Sequence, residues 1–157
     1  MPLAQQDAAL WHADLIAEAE ALLRTAGAKG ILGRYQLEAA IQSAHVVRRL
    51  TGRADWDAIE LLYGALASLT GSPVVAINRA VAIAETRGPA AGLAALDAFK
   101  DDPQLTSYQP YWAARAGLLA RTGALAEAGR AYELAIGLES DPAVRRFLQR
   151  QREQLEA

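Results

Sequence analysis

The sequence predicts an all-α protein built from antiparallel helical hairpins. Apolar residues recur at intervals of three and four along most of the chain, and no segment shows the alternation with period two that indicates a strand. Glycine and proline separate the periodic stretches, as expected where one helix ends and the next begins. Composition agrees, because 52% of the 157 residues are hydrophobic but only 6% are aromatic, which favours helices packed through small side chains. We therefore expect about eight helices in a single domain, residues 1–157.

The helices follow one another with short connections. The first predicted helix covers residues 11–26, and residues 28–34 are predicted to be a loop because they contain two glycines. A polar turn region is predicted at 101–109. Further helices are expected over residues 35–51, 55–70, 74–87, 89–99, 110–122, 124–138 and 144–155. The apolar residues expected on inward faces include Leu50, Leu125, Leu138 and Phe147.

A recurring spacing within these helices indicates a repeat. Gly123 is followed by Ala128, Tyr132 and Ala135, and Pro142 begins the next helix, which is the pattern of the second helix of a tetratricopeptide (TPR) unit. Trp56 and Tyr63 are seven residues apart, as are Leu125 and Tyr132. The first pair precedes the second by 69 residues, close to twice the TPR period of about 34. The fold expected is a TPR-like right-handed superhelix. Its parts are an N-terminal helical pair at 11–52, repeats at 53–140 and a capping helix at 141–157.

Composition argues against several classes of function. A net charge of -2 makes direct contact with nucleic acid unlikely by bulk charge, since neutralising phosphates requires a basic surface. The chain has no cysteine, so it offers neither disulfides nor thiolate chemistry. No apolar run approaches the roughly 20 residues that span a bilayer. A cytoplasmic protein that does not contact membranes is expected.

Candidate catalytic groups are few. The two histidines are His12 and His45, and His45 follows Glu38 by two helical turns, so the two side chains can face the same side of one helix. A metal site needs three or more ligands, and no further ligand is suitably spaced, so we expect a partly buried, hydrogen-bonded His45. Residues 27–33 are rich in glycine but lack the Gly-Lys-Ser/Thr pattern of a phosphate-binding loop, and no predicted strand precedes them. We expect no cofactor, no metal and no enzymatic activity.

Two further features leave alternatives open. Asn78 lies beside the inward Ile77, so its amide either is buried and bonded to a neighbouring loop or contacts a partner. The last helix carries four arginines near several acidic residues, so it is either a solvated cap or a docking face for an acidic partner.

Longer runs resemble a known family. GRYQLEAAI (Gly33–Ile41) and SPVVAINRAVA (Ser72–Ala82) are the most specific, and DW, GPAAGL and RRFL runs occur in the same order as in that family. The sequence resembles the C-terminal, TPR-bearing region of extracytoplasmic-function-type RNA polymerase sigma factors, from about residue 11 to 155. It departs from the family at Arg34, where proline is usual, and at Glu38, where glutamine is common.

The resemblance implies a protein-interaction and regulatory domain that supports transcription initiation without catalysis. Its partners would be the N-terminal sigma regions of the same protein, which would precede residue 1, RNA polymerase or another regulatory protein. The residues it suggests for the contact surface are Arg34, Tyr35, Gln36, Glu38, His45, Asn78 and Arg79. The alternative is a stand-alone TPR adaptor that binds a peptide or protein in its concave groove.

Overall fold

A computed structural model describes residues 17–18, 21 and 31–157 of the chain. This part of the protein is helical throughout, with no strand, which confirms the predicted all-α, helical-repeat-like class. The predicted helix at 11–26 and His12 lie outside the described residues, apart from Ala17, Glu18 and Ala21, which are helical.

Eight helices follow one another from residue 31 onwards. They are α1 (Ile31–Thr51), α2 (Trp56–Thr70), α3 (Pro73–Arg87), α4 (Pro89–Asp97), α5 (Pro103–Thr106), α6 (Gln109–Thr122), α7 (Leu125–Leu138) and α8 (Pro142–Gln154).

Several helix ends lie where glycine, proline and capping residues in the sequence predict them. Asp55 begins α2, since its carboxylate accepts a hydrogen bond from the Ala58 amide at 3.2 Å. Gly71 and Gly123 end α2 and α6 in the left-handed conformation, with φ of 61° and 86°. Glycine adopts this conformation without the steric penalty that a β-carbon brings, so both positions stop a helix cleanly.

Two predicted connections differ from the structure. Helix α1 already includes Ile31, so Gly33 and Arg34 are helical and not part of a loop; Gly33 is buried, and its packing offsets the weak helix propensity of glycine. The predicted turn region at 101–109 contains the one-turn helix α5. Asp102 caps it by accepting a hydrogen bond from the Gln104 amide at 2.9 Å, and Pro103 occupies the first helical position.

The chain divides into two compact units, Met1–Ala82 and Ile83–Ala157. In the described part of the first unit, α1 and α2 form a hairpin whose core consists of Leu37, Ile41, Leu62 and Leu66. A smaller cluster joins Ala44, Ile59 and Ala82.

In the second unit, α6 and α7 form a hairpin joined by Gly123 and Ala124, with α4 and α5 packed on α6 and α8 packed on α7. Its core combines four alanines with three larger side chains, and Trp112 packs against it while partly exposed. The buried members are Ala116, Leu119, Ala128, Ala131, Tyr132, Ala135 and Leu148. The repeat positions Ala128, Tyr132 and Ala135 therefore share one core, as their spacing predicts.

Four apolar residues expected on inward faces are substantially exposed, and Val81, expected on the inward face of α3, is 36% exposed. Leu50 follows Ile41 by nine residues, about two and a half turns, which places it opposite the buried face of α1, and it is 81% exposed. Leu125 and Leu138 flank the alanine face of α7, where the close helix approach that alanine permits leaves the larger side chains at its edges. Phe147 precedes the buried Leu148 and points about a quarter turn away from it.

A candidate partner-binding groove in the first unit

The outward face of α1 carries a polar stripe. Four of its residues share one side of the helix, because they lie three, four and seven positions along from the first. They are Tyr35, Glu38, Ala39 and Gln42. Leu37 lies on the opposite side of α1 and is buried in the core shared with α2. This burial determines which side of α1 faces outward.

This stripe forms one wall of an open groove of about 500 Å³ within the first unit. Helices α2 and α3 supply the other walls. The residues lining the groove are Tyr35, Glu38, Ala39, Ile41, Gln42, Tyr63, Leu66, Val75 and Asn78. Its floor is apolar and its rim carries two amides, two phenols and one carboxylate, a combination suited to a segment with both apolar side chains and hydrogen-bonding groups.

Three of the residues suggested for the contact surface line this groove: Tyr35, Glu38 and Asn78. Tyr35 is 64% exposed, which leaves most of its ring available for contact. Asn78 is also exposed, so the alternative in which its amide is buried is wrong, and the amide faces the groove. The structure thus brings residues from the two most specific runs, Gly33–Ile41 and Ser72–Ala82, to one surface.

The other four suggested residues lie outside the groove lining. Gln36 is exposed on another side of α1. Arg79 is exposed as well, and its Nε would lie 3.4 Å, about van der Waals distance, from a β-carbon at Gly64.

Arg34 pairs with Glu38 at the groove edge. The Arg34 Nε donates to Glu38 Oε1 at 3.0 Å, one turn along the helix, with the side chains 57% and 42% exposed. Such an exposed pair contributes little to stability, about 0.3–0.5 kcal/mol. Arg34 and Glu38 are also the two departures from the resembled family. One adds a positive and the other a negative charge, and because the two side chains pair, the net charge of this edge is unchanged.

His45 does not line the groove but contacts Tyr63, which does. Its Nε2 lies 3.2 Å from the Tyr63 hydroxyl, and it is partly buried, as predicted. Burial lowers the pKa of His45 below its ordinary value, and the positive charges of Arg48 and Arg49 lower it further. Burial raises the pKa of Tyr63, so a neutral imidazole faces a neutral phenol.

Sequence reasoning missed Gln42 and Tyr63 as groove residues. Gln42 was signalled by its spacing, because it lies four residues after Glu38 on the same face. Tyr63 was assigned only to the core, but its half-buried ring both packs on the core of α1 and α2 and lines the groove.

No group of three or more histidine and acidic side chains that could hold a metal ion occurs among the residues the structure describes. None of the helices in that part of the chain is both long and apolar enough to cross a bilayer.

Comparison with known proteins gives one relative. The chain is 37% identical over 155 residues to an uncharacterized protein of Rhizobium meliloti (strain 1021), and the match covers 99% of this chain. The chain spans about a third (36%) of the length of that relative. No family model matches the chain, and no solved structure matches it.

Proposed function

We propose that the chain is a protein-interaction and regulatory domain of an alternative RNA polymerase sigma factor. It is a cytoplasmic domain that acts by binding, without catalysis, and supports transcription initiation. Its partner is the N-terminal sigma regions of the same protein, RNA polymerase or another regulatory protein, held in the groove between α1, α2 and α3.

One observation supports this proposal above the others. The runs that carry the resemblance to sigma factors, Gly33–Ile41 and Ser72–Ala82, are 31 residues apart in sequence but both contribute side chains to one groove, through Tyr35, Glu38 and Asn78. Runs used only for packing would be expected to place their polar residues on unrelated surfaces. A partner that contacts both runs at once explains why they share a surface.

The length of the relative is compatible with the proposal. In the Rhizobium meliloti protein the matched segment is 36% of the chain, as expected for one domain of a larger protein. A regulatory domain acts through the rest of such a chain or through a separate assembly.

A binding experiment with a matched pair of variants tests the groove. Gln42 and Gln36 are both exposed glutamines on α1, but only Gln42 lines the groove. We expect the chain to retain core RNA polymerase or the separately prepared N-terminal sigma regions in a pull-down. Gln42→Arg introduces bulk and charge into the groove and is expected to weaken retention about tenfold, or about 1.4 kcal/mol. Gln36→Arg is expected to leave it unchanged.

A transcription assay tests the regulatory role. Deleting residues 1–157 from the sigma factor that carries them is expected to reduce promoter-specific transcription in a purified system. Unchanged transcription, together with no retention of either sigma regions or polymerase, contradicts the proposal. Retention of an unrelated peptide that Gln42→Arg abolishes would instead favour the adaptor function.

A further inference from the structure

The last helix, α8, presents one face to the protein and the other to solvent. Leu148 is 2% exposed and enters the core of the second unit, with Val144 and Leu155 packed partly against the same core. These three residues lie on one side of α8. Most of the remaining side chains of the helix are exposed, so its outer face is open to solvent.

Three arginines on this outer face have no acidic partner among the described residues. Arg145, Arg146 and Arg150 are exposed and take part in no ion pair, whereas Arg152 on the inner edge lies 3.5 Å from Glu133. Arg146 and Arg150 are one turn apart, so their guanidinium groups project in the same direction.

The nearest preceding carboxylates are already engaged. Glu139 Oε1 accepts a hydrogen bond from the Asp141 amide at 2.8 Å, and Asp141 Oδ1 accepts one from the Ala143 amide at 2.8 Å. Both carboxylates thus shape the start of α8. Glu153 is the acidic residue on the exposed side of the helix itself.

An aromatic side chain lies among these arginines. Phe147 is 51% exposed, directly after Arg146 and three residues before Arg150. Exposed phenylalanine costs free energy in water, and aromatic residues with arginine are the combination enriched in the buried centres of protein interfaces.

We propose that Arg146, Phe147 and Arg150 form a docking surface for an acidic helical segment of another protein, with an aliphatic side chain of that segment covering Phe147. Charge complementarity selects an acidic partner, since the guanidinium groups can bind carboxylates in a bidentate manner. A nucleic acid fits less well, because Glu153 lies on the same side of α8, three residues after Arg150, and the whole chain carries a net charge of -2. This surface is independent of the groove in the first unit and of the sigma assignment.

The probe for this surface is a fluorescein-labelled peptide of glutamate, alanine and leucine, with leucines every third or fourth position and a length of about 20 residues so that it forms a helix. Binding to the full chain is measured by fluorescence anisotropy. We expect Arg146→Glu with Arg150→Glu to weaken binding at least tenfold, and Phe147→Ala to weaken it about fivefold. Binding is also expected to weaken as salt is raised.

The matched control is Arg49→Glu with Arg53→Glu, which makes the same charge change at two exposed arginines four residues apart on the first unit. This control is expected to bind the peptide as well as the wild type does. Unchanged helix content of every variant by circular dichroism shows that α8 still forms.

Several outcomes overturn the proposal. They are absence of peptide binding, equal losses in the α8 and control variants, and equal binding of a peptide in which lysine replaces glutamate. Tighter binding of a DNA duplex through the same arginines assigns the surface to nucleic acid. Self-association in analytical ultracentrifugation that Phe147→Ala abolishes assigns it to a second copy of the chain.

Discussion

Small side chains bring the helices of the second unit together. Ala116, Ala128 and Ala135 are 0% exposed, and Ala131 is 3% exposed, so the α6–α7 hairpin packs largely through methyl groups. Close approach of this kind leaves room for few large residues, and Leu119, Tyr132 and Leu148 fill the remaining space. Alanine also carries no side-chain entropy cost, so its use supports both helix formation and packing.

The pair formed by His45 and Tyr63 makes a prediction about pH. Because the pKa of His45 is lower in the folded protein than its ordinary value of 6.5, the unfolded chain binds more protons between the two values. The contribution of His45 to the free energy of unfolding is thus complete above about pH 6.5 and falls as the pH falls below it. His45→Gln removes the titrating group, so its melting temperature should fall less between about pH 7 and pH 5 than that of the wild type.

Tyr63→Phe is the control for this measurement. It removes the hydroxyl near His45 Nε2 but leaves the burial and the two arginines that lower the histidine pKa, so the pH dependence should persist. Parallel curves for wild type and His45→Gln would show that another group dominates in this pH range.

At the scale of the single element, the two glycines of α6 and its C-terminal end have opposite effects on stability. Gly123 ends α6 with φ of 86°, whereas Gly117 lies in the interior of the same helix. A β-carbon at either position meets no atom within 4 Å, so steric contact with neighbours does not distinguish them. Only the backbone conformation does.

Replacing each glycine by alanine should therefore shift stability in opposite directions. Gly123→Ala is expected to lower the free energy of unfolding by about 1–2 kcal/mol, because an L-residue is strained in the left-handed region. Gly117→Ala is expected to raise it by about 0.4–1 kcal/mol, because it reduces the entropy of the unfolded chain. Urea denaturation of both variants tests this, and shifts of the same sign would contradict it.

At the scale of the whole molecule, each unit has a core cluster of its own among the described residues. Leu62 and Leu66 belong to the core of the first unit, and Tyr132 and Leu148 to that of the second. In proteins made of stacked helical units, stability is roughly a sum of local terms, so a defect in one unit should remain local.

Hydrogen exchange measured by mass spectrometry can localise such defects. Leu66→Ala, which removes about 2–5 kcal/mol of core packing, should speed exchange mainly in residues 31–82. Tyr132→Ala, with an expected loss of about 3–5 kcal/mol, should act mainly in residues 83–157. If either variant accelerates exchange equally in both units, they unfold as one cooperative body.

Helix positions and ends were largely predictable from the sequence by itself, because they depend on neighbours a few residues away. Asp55, Gly71, Ser72-Pro73 and Gly123 act within one turn of the helix they begin or end. The same holds for the core positions Ala128, Tyr132 and Ala135, which the repeat spacing identifies. The two differences, at the start of α1 and at α5, lie where local signals in the sequence are weak. There, packing or a single capping residue determines whether a helix forms.

Only the tertiary structure decided which helix faces are covered and which residues meet across the groove. Periodicity placed Leu50, Leu125 and Phe147 on inward stripes, but a stripe is buried only where a neighbouring helix reaches it, and these residues lie beyond or beside that contact. For the same reason Gln42 and Tyr63 join Tyr35 and Asn78 through the packing of three helices. Local signals define the helices, whereas the groove proposed to bind a partner arises from their packing.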